Sequence, residues 1–168
     1  MKNIVLIGMP GSGKSTVGAL LSRRLSRPFA DLDTLIEETA SLTVSEIFAQ
    51  WGEGAFRDLE SALTVQTARD SGQIIATGGG VILREENMTA LRKNGLIFFL
   101  DRPPDALKRL AHKGRPLIAG DLSRVDVLYT ERIELYRHYA QYSIDGSGTP
   151  SDVVAQILAI LQKTEGNP

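Results

Sequence analysis

The sequence predicts an α/β fold: a parallel sheet with helices on both faces. Three observations carry that prediction. Short apolar runs, Ile4-Val5-Leu6-Ile7, Ile74-Ile75-Ala76 and Leu96-Ile97-Phe98-Phe99-Leu100 among them, read as strands buried on both faces. Stretches with helical spacing of apolar residues alternate with them, the pattern of a parallel sheet. The first run leads straight into Gly8-Met9-Pro10-Gly11-Ser12-Gly13-Lys14-Ser15-Thr16 and then into a helical pattern, a strand–loop–helix unit. Ligands of such sheets gather beyond the carboxyl ends of the strands. Asp31, Asp33, Gly78-Gly79-Gly80 and the glycine loop all follow strand ends, so they are expected to converge.

Taken in order, the first strand is expected over about residues 2–7. A helix over 14–25 follows, with Val17, Leu20, Leu21 and Leu25 on one side and Pro28 marking its exit. Phe29-Ala30-Asp31-Leu32 reads as a short second strand and 33–40 as a helix. Thr43-Val44-Ser45-Glu46 has the capping-box pattern that opens another. A longer helix is expected over 53–70, with Phe56, Leu59, Leu63 and Val65 inward. Gln73–Ala76 is a third strand, 85–93 a helix ended by Asn94-Gly95, and Leu96–Leu100 a fourth strand. Pro103 and Pro104 suit the start of a helix running to about 111. Gly114, Pro116 and Gly120 make 113–121 a loop. A long helix near 122–139, a last strand at Gln141–Ile144, and a helix from Pro150 to about Leu161 complete the chain, leaving 162–168 as a frayed tail. No repeat, low-complexity tract or linker divides it, so 1–168 is expected to be a single domain.

At 168 residues, a chain of this length buries roughly two thirds of its unfolded surface. Its 42% hydrophobic and 23% charged fractions are those of an ordinary globule. A net charge of −1 exerts no global pull toward nucleic acid or anionic membrane. Arginine outnumbers lysine 13 to 6, which fits either anionic ligands or a plain surface preference. The absence of cysteine excludes disulfides and thiolate metal sites. The N-terminal apolar run is too short for a signal sequence and nothing approaches a membrane span, so a cytoplasmic location is expected. No extended apolar surface stands out, and monomer is the default.

The loop Gly8–Thr16 matches G-x-x-x-x-G-K-[ST]. Gly11, Ser12, Gly13 and the residues after them would turn backbone N–H groups inward around phosphate oxygens, aided by the helix N-terminus. Lys14 would reach the β- and γ-phosphates, and the Ser15 hydroxyl would hold Mg²⁺. A glycine-rich turn is the plain alternative, but strand and helix in register argue for a nucleoside triphosphate.

Other residues leave two readings each. Of Asp31 and Asp33, one carboxylate near Ser15 would serve the metal and the other an acceptor hydroxyl, unless Asp33 merely caps the next helix. Arg57 and Glu60 lie about one turn apart. Either Glu60 orients Arg57 for a substrate carboxylate, or the two form an exposed ion pair. Gly78–Gly80 permits close approach of backbone to a ligand, beyond what a turn needs. Arg115, in the loop, would close onto the γ-phosphate and exclude water or stay solvated. Arg132 either faces the ligand or joins Glu131 and Glu134 in a surface network. His112 and His138 read as surface or packing residues, Trp51 as a packing anchor beside Gly52 rather than a stacking platform, and Tyr129, Tyr136, Tyr139 and Tyr142 as core edge.

In their order and spacing, Gly8–Thr16, Asp31-Leu32-Asp33, Phe56-Arg57 with Glu60, Gly78–Gly80, Gly114-Arg115-Pro116-Leu117 and Arg132 with Leu135-Tyr136 resemble shikimate kinases over about residues 2–161. The resemblance implies a P-loop kinase with a five-stranded parallel sheet and a mobile lid near 110–121. Its reaction would transfer the ATP γ-phosphate to the 3-hydroxyl of shikimate. Lys14, Asp33 and Arg115 would be catalytic. Gly11–Thr16, Arg109 and Arg115 would bind ATP, Arg109 packing on adenine opposite Gly148-Thr149-Pro150. Asp33, Arg57, Gly79, Gly80 and Arg132 would hold shikimate, with Glu60 behind Arg57. Ser15 and Asp31 would serve Mg²⁺. Two departures stand out: Glu134 replaces a frequent proline, and Gly146-Ser147-Gly148-Thr149 lacks an arginine found in some members. A gluconate kinase is the nearest enzymatic alternative, since its acceptor is also a carboxylate-bearing polyol. A nucleoside monophosphate kinase fits less well, and a non-enzymatic nucleotide switch would leave Arg57 and Arg132 unexplained.

Overall fold

In the computed structural model, which describes residues 1–111 and 122–165, the apolar runs assemble into one five-stranded sheet. The strands are β1 (Asn3–Ile7), β2 (Phe29–Asp31), β3 (Ile74–Ala76), β4 (Gly95–Asp101) and β5 (Tyr142–Asp145). Their spatial order is β2-β3-β1-β4-β5, and every pairing is parallel, with Val5 opposite Ile75 on one side and Ile97 on the other. Parallel neighbours need crossovers, and helices supply them: α1 (Lys14–Leu25), α2 (Leu32–Ala40), α3 (Val44–Thr67), α4 (Glu85–Lys93), α5 (Pro104–Ala111), α6 (Ser123–Tyr139) and α7 (Pro150–Glu165).

Strand alternation divides the core. Ile4, Leu6, Ile74, Phe98, Leu100 and Ile144 face α1 and α7, meeting Val17, Leu21, Val153 and Ile157. Val5, Ile7, Ile75, Ile97 and Phe99 face the other way, toward Met88 and Leu91 of α4, Leu107 of α5, and Ile133 and Tyr136 of α6. A smaller cluster of Ile36, Ile47 and Phe56 joins α2 to α3. Both faces are therefore covered.

Most boundaries fall within a residue or two of those expected, with instructive differences. The two helices expected on either side of residue 52 run on as α3, interrupted at Gly52, whose φ of 83° is left-handed. The Thr43–Glu46 capping box opens it with both reciprocal bonds formed. Its buried face is more polar than the spacing suggested: Glu60, Ser61 and Thr64 are buried with Phe56, while Leu59 and Leu63 pack at the edge of the α2–α3 cluster. A short 3₁₀ turn at Val81–Leu83 was not legible in the sequence. The last helix continues to Glu165, so 162–165 are helical rather than a frayed tail. The lid expected near 110–121, with His112, Gly114, Arg115, Pro116 and Leu117, falls outside the described residues except for Leu110 and Ala111 at the end of α5.

Candidate active site

The loop after β1 is built from conformations that glycine supplies. Gly11 (φ 76°) and Gly13 (φ 94°) are left-handed, and a Cβ on Gly8 would lie 2.8 Å from the Leu100 carbonyl. Gly13 caps α1 without a side-chain bond, and no acidic residue stands in the first turn. The positive end of the helix dipole is thus left for an anion. Lys14 is buried, and its ammonium donates to the carbonyls of Gly8 and Met9, each at 2.9 Å. Burial pulls its pKa from 10.5 down to about 8, against the opposing charges of Asp33 and Asp31, with Arg132 adding to the depression.

The Ser15 hydroxyl donates to Asp31 Oδ2. The other oxygen of Asp31 caps α2, accepting from the backbone N–H of Asp33 at 3.1 Å and of Thr34 at 3.4 Å. Capping therefore belongs to Asp31. Asp33, expected as either cap or hydroxyl acceptor, is released from the first duty, and its side chain lines a cavity of about 950 Å³. That carboxylate is open to the cavity yet walled by protein. The loss of water raises its pKa, with Lys14 opposing the rise, Asp31 and Glu37 adding to it, and Arg57 opposing it.

Lys14, Ser15, Arg57, Glu60, Gly78–Gly80 and Arg132 line the same cavity. Arg57 Nη1 donates to Glu60 Oε2 at 2.8 Å, with the two side chains 12% and 1% exposed. This is a buried pair, not the exposed one that i,i+3 spacing also allows. Desolvation raises the Glu60 pKa and Arg57 opposes the rise. Arg57 Nε and Glu60 Oε1 are both buried without a hydrogen-bond partner, so the pair keeps polar capacity in hand. The arginine lies flat on backbone, since a Cβ on Gly80 would fall 2.3 Å from Nη1. A Cβ on Gly78 would meet Glu60 Oε1 at 2.8 Å and Asp33 Oδ1 at 3.0 Å. One on Gly79 would strike Pro10 of the β1 loop at 2.6 Å. The triple glycine is thus the seam where phosphate loop, Asp33, Arg57 and Glu60 all close on backbone.

Arg109 is exposed on α5 and is not among the residues lining the cavity. Two expectations change. Trp51 is half exposed rather than a packing anchor, and the ring contact beside it is Phe48 on Phe56 at 4.6 Å. Tyr136 is not core edge but fully buried, stacked on Phe99 with centroids 5.1 Å apart. Glu134 pairs with Arg137 at 3.1 Å on the exposed side of α6, which leaves Arg132 on the cavity wall. Arg115 lies outside the described residues. The cavity also takes in Val44, Ser45, Phe48 and Ala49 of α3, together with Thr77 and Leu128, none of which the sequence reading singled out. The i,i+4 spacing of Val44 with Phe48, and of Ser45 with Ala49, was the available signal for one helix face.

Comparisons with known proteins agree with one another. A family model described as shikimate kinase matches residues 10–162. The shikimate kinase of Symbiobacterium thermophilum is 44% identical over 96% of this chain and 97% of its own. A solved shikimate kinase from Acinetobacter baumannii, in complex with shikimate, superposes with a TM-score of 0.86 at 31% identity, covering 99% of this chain and 94% of that one. A gluconokinase from Sinorhizobium meliloti superposes with a TM-score of 0.61 at 18% identity, over 97% of this chain and 93% of that one, a likeness of fold alone.

Proposed function

The chain belongs to the shikimate kinase family, and from that premise we propose how its residues divide the work. It is an ATP-dependent kinase that phosphorylates shikimate at the 3-hydroxyl, giving shikimate 3-phosphate and ADP, a step of aromatic amino acid biosynthesis. One observation carries the division of roles: a single cavity is walled by the phosphate loop on one side and by Asp33, Arg57, Gly79, Gly80 and Arg132 on the other.

Phosphoryl transfer needs an aligned acceptor, a cation on the spreading charge and little covalent chemistry from the protein. In this reading Gly11, Ser12, Gly13, Ser15 and Thr16 hold the ATP phosphates, and Lys14 exchanges its loop carbonyls for phosphate oxygens. Arg57 and Arg132 grip the shikimate carboxylate, Arg57 being aimed by Glu60. Asp33 accepts the proton of the attacking hydroxyl, a role that suits a carboxylate whose affinity for a proton is already raised. Arg115 supplies a further cation at the phosphates, and Arg109 serves the nucleotide side. Support for these last two roles comes from the family pattern alone.

Mg²⁺ fits the Ser15–Asp31 pair, a hydroxyl and a carboxylate already in contact. Magnesium is commonly held by one or two protein oxygens with substrate phosphates and water completing its shell. Bound there, it would neutralise charge on the phosphates. Among the described residues there is no group of three or more acidic, His or Cys side chains that would hold a metal unaided. No helix of the described residues is long and apolar enough to cross a membrane. A net charge of −1 exerts no global pull toward nucleic acid or anionic membrane, and in this reading the chain is a single-domain, monomeric, cytoplasmic enzyme.

The test is ADP release with ATP, Mg²⁺ and each acceptor in turn. Shikimate should stimulate turnover and gluconate should not. Stimulation by gluconate alone would overturn the assignment.

A further inference from the structure

Tyr136 is fully buried on α6, and its hydroxyl donates to the Gly79 carbonyl at 2.6 Å. The residues are 57 positions apart, so this bond ties helix α6 to the glycine turn after β3. Stacking on Phe99 of β4 fixes the ring. Burial pushes the phenol up to about 12, with Arg132 drawing it back through its charge and a side-chain hydrogen bond. Arg132 precedes Tyr136 by one helical turn and lines the cavity, as do Gly79 and Gly80. The phenol thus ties the helix that carries Arg132 to a backbone carbonyl of the same cavity.

The backbone makes the contact consequential. No peptide bond of the described residues is cis, and in a trans peptide the C=O and N–H point in opposite directions. Holding the Gly79 carbonyl against α6 therefore turns the Gly80 N–H away from α6. Glycine turns have little rotational preference of their own, so the phenol adds an anchor to this peptide beyond the bonds of the Val81 N–H to Gly78 and the Leu83 N–H to Gly80 that bracket it.

We propose that Tyr136 is a positioning residue for the acceptor: its hydroxyl holds the Gly79–Gly80 peptide of the shikimate site in one orientation, from the helix that carries Arg132 one turn earlier. The inference rests on the acceptor site proposed above and adds a residue that does not itself touch substrate.

Tyr136→Phe keeps the ring and removes only the hydroxyl. A buried carbonyl left without its donor is expected to raise the KM for shikimate about 10-fold, with kcat within about threefold and the KM for ATP within about twofold. Phe99→Leu is the control. It loosens the same ring but leaves the hydroxyl, and should lower the melting temperature while the KM for shikimate stays within about twofold. An unchanged KM for shikimate in Tyr136→Phe, or an equal rise in Phe99→Leu, would overturn the proposal and leave Tyr136 a packing residue. Shikimate-induced thermal stabilisation gives the same answer without turnover: it should shrink in Tyr136→Phe, and equal stabilisation of variant and parent would overturn it. Failure of the underlying reading shows elsewhere, as absence of shikimate-stimulated turnover in the unsubstituted protein.

Discussion

Arg57 lies flat over Gly80 and donates to Glu60 at 2.8 Å, an ion pair with one partner 1% exposed and the other 12%. Exposed i,i+3 pairs contribute a few tenths of a kcal/mol. A buried one behaves differently, because removing either member strands a charge in a poorly solvated place. The absence of Cβ at residue 80 is what lets the guanidinium sit there.

Glu60→Ala should therefore destabilise the protein by about 3 kcal/mol and raise the KM for shikimate while leaving that for ATP unchanged. Urea unfolding followed by the emission of Trp51, the only tryptophan, measures the first effect and steady-state kinetics the second. A loss below about 0.5 kcal/mol would place the pair with ordinary surface ion pairs.

Asp33 combines raised proton affinity with a place on the cavity wall beside Lys14 and Arg57. Asp33→Asn should lower kcat by at least ~10²-fold, the usual worth of general-base help. Its effect on stability has the opposite sign. With its folded pKa raised by burial, the favourable contribution of the protonated acid is full below the unfolded value of about 3.9 and is lost as pH rises through the folded one. Asn removes the charged form altogether, so the variant should be at least as stable as the parent at pH 7 by thermal unfolding. Near-normal turnover would remove the catalytic role.

Lys14 should leave a mark on the pH profile. Its ammonium, drawn from 10.5 to about 8 by burial, binds fewer protons folded than unfolded across that window. The cost of burying the charge is therefore full below about 8, and stability from this group rises with pH toward the unfolded value. Activity goes the other way. Because kcat/KM reports ionisations of the free enzyme, kcat/KM for ATP should fall above pH about 8. A flat profile to pH ~10, beyond an ordinary lysine's onset, would show that Lys14 keeps its proton or does not serve ATP.

Asp31 has two duties that one substitution separates. Asp31→Asn keeps a side-chain oxygen able to cap α2, since Asn and Asp rank together at that position, so stability should change by less than about 0.5 kcal/mol. The lost charge should raise the Mg²⁺ concentration needed for half-maximal turnover. Asp31→Ala should do the same and also cost about 1 kcal/mol through the missing cap. Magnesium titration of both variants checks this, and an unchanged midpoint would leave Asp31 with capping alone.

Much of the frame was legible because its signals are local. Alternating apolar runs gave the strands, Thr43 and Glu46 gave a helix start, and the motif around Lys14 gave the phosphate loop. The strand-end rule brings Asp31, Asp33 and Gly78–Gly80 together from the sequence alone. The polar inner face of α3 was harder to read. Hydrophobic spacing assigns Leu59 and Leu63 inward, whereas the cavity requires Glu60 there to face Arg57.

By itself, the sequence determined the parallel α/β class, the order of elements, the phosphate loop and the set of charged residues available to an acceptor, since each depends on neighbours along the chain. The tertiary structure decided between paired readings: Asp31 rather than Asp33 as the helix cap, Arg57–Glu60 as a buried rather than exposed pair, and Tyr136 as a buried tie to Gly79 rather than core edge. Each of these depends on desolvation or on contacts between distant segments. Residue spacing carries neither, because burial is a property of what the rest of the chain places around a side chain.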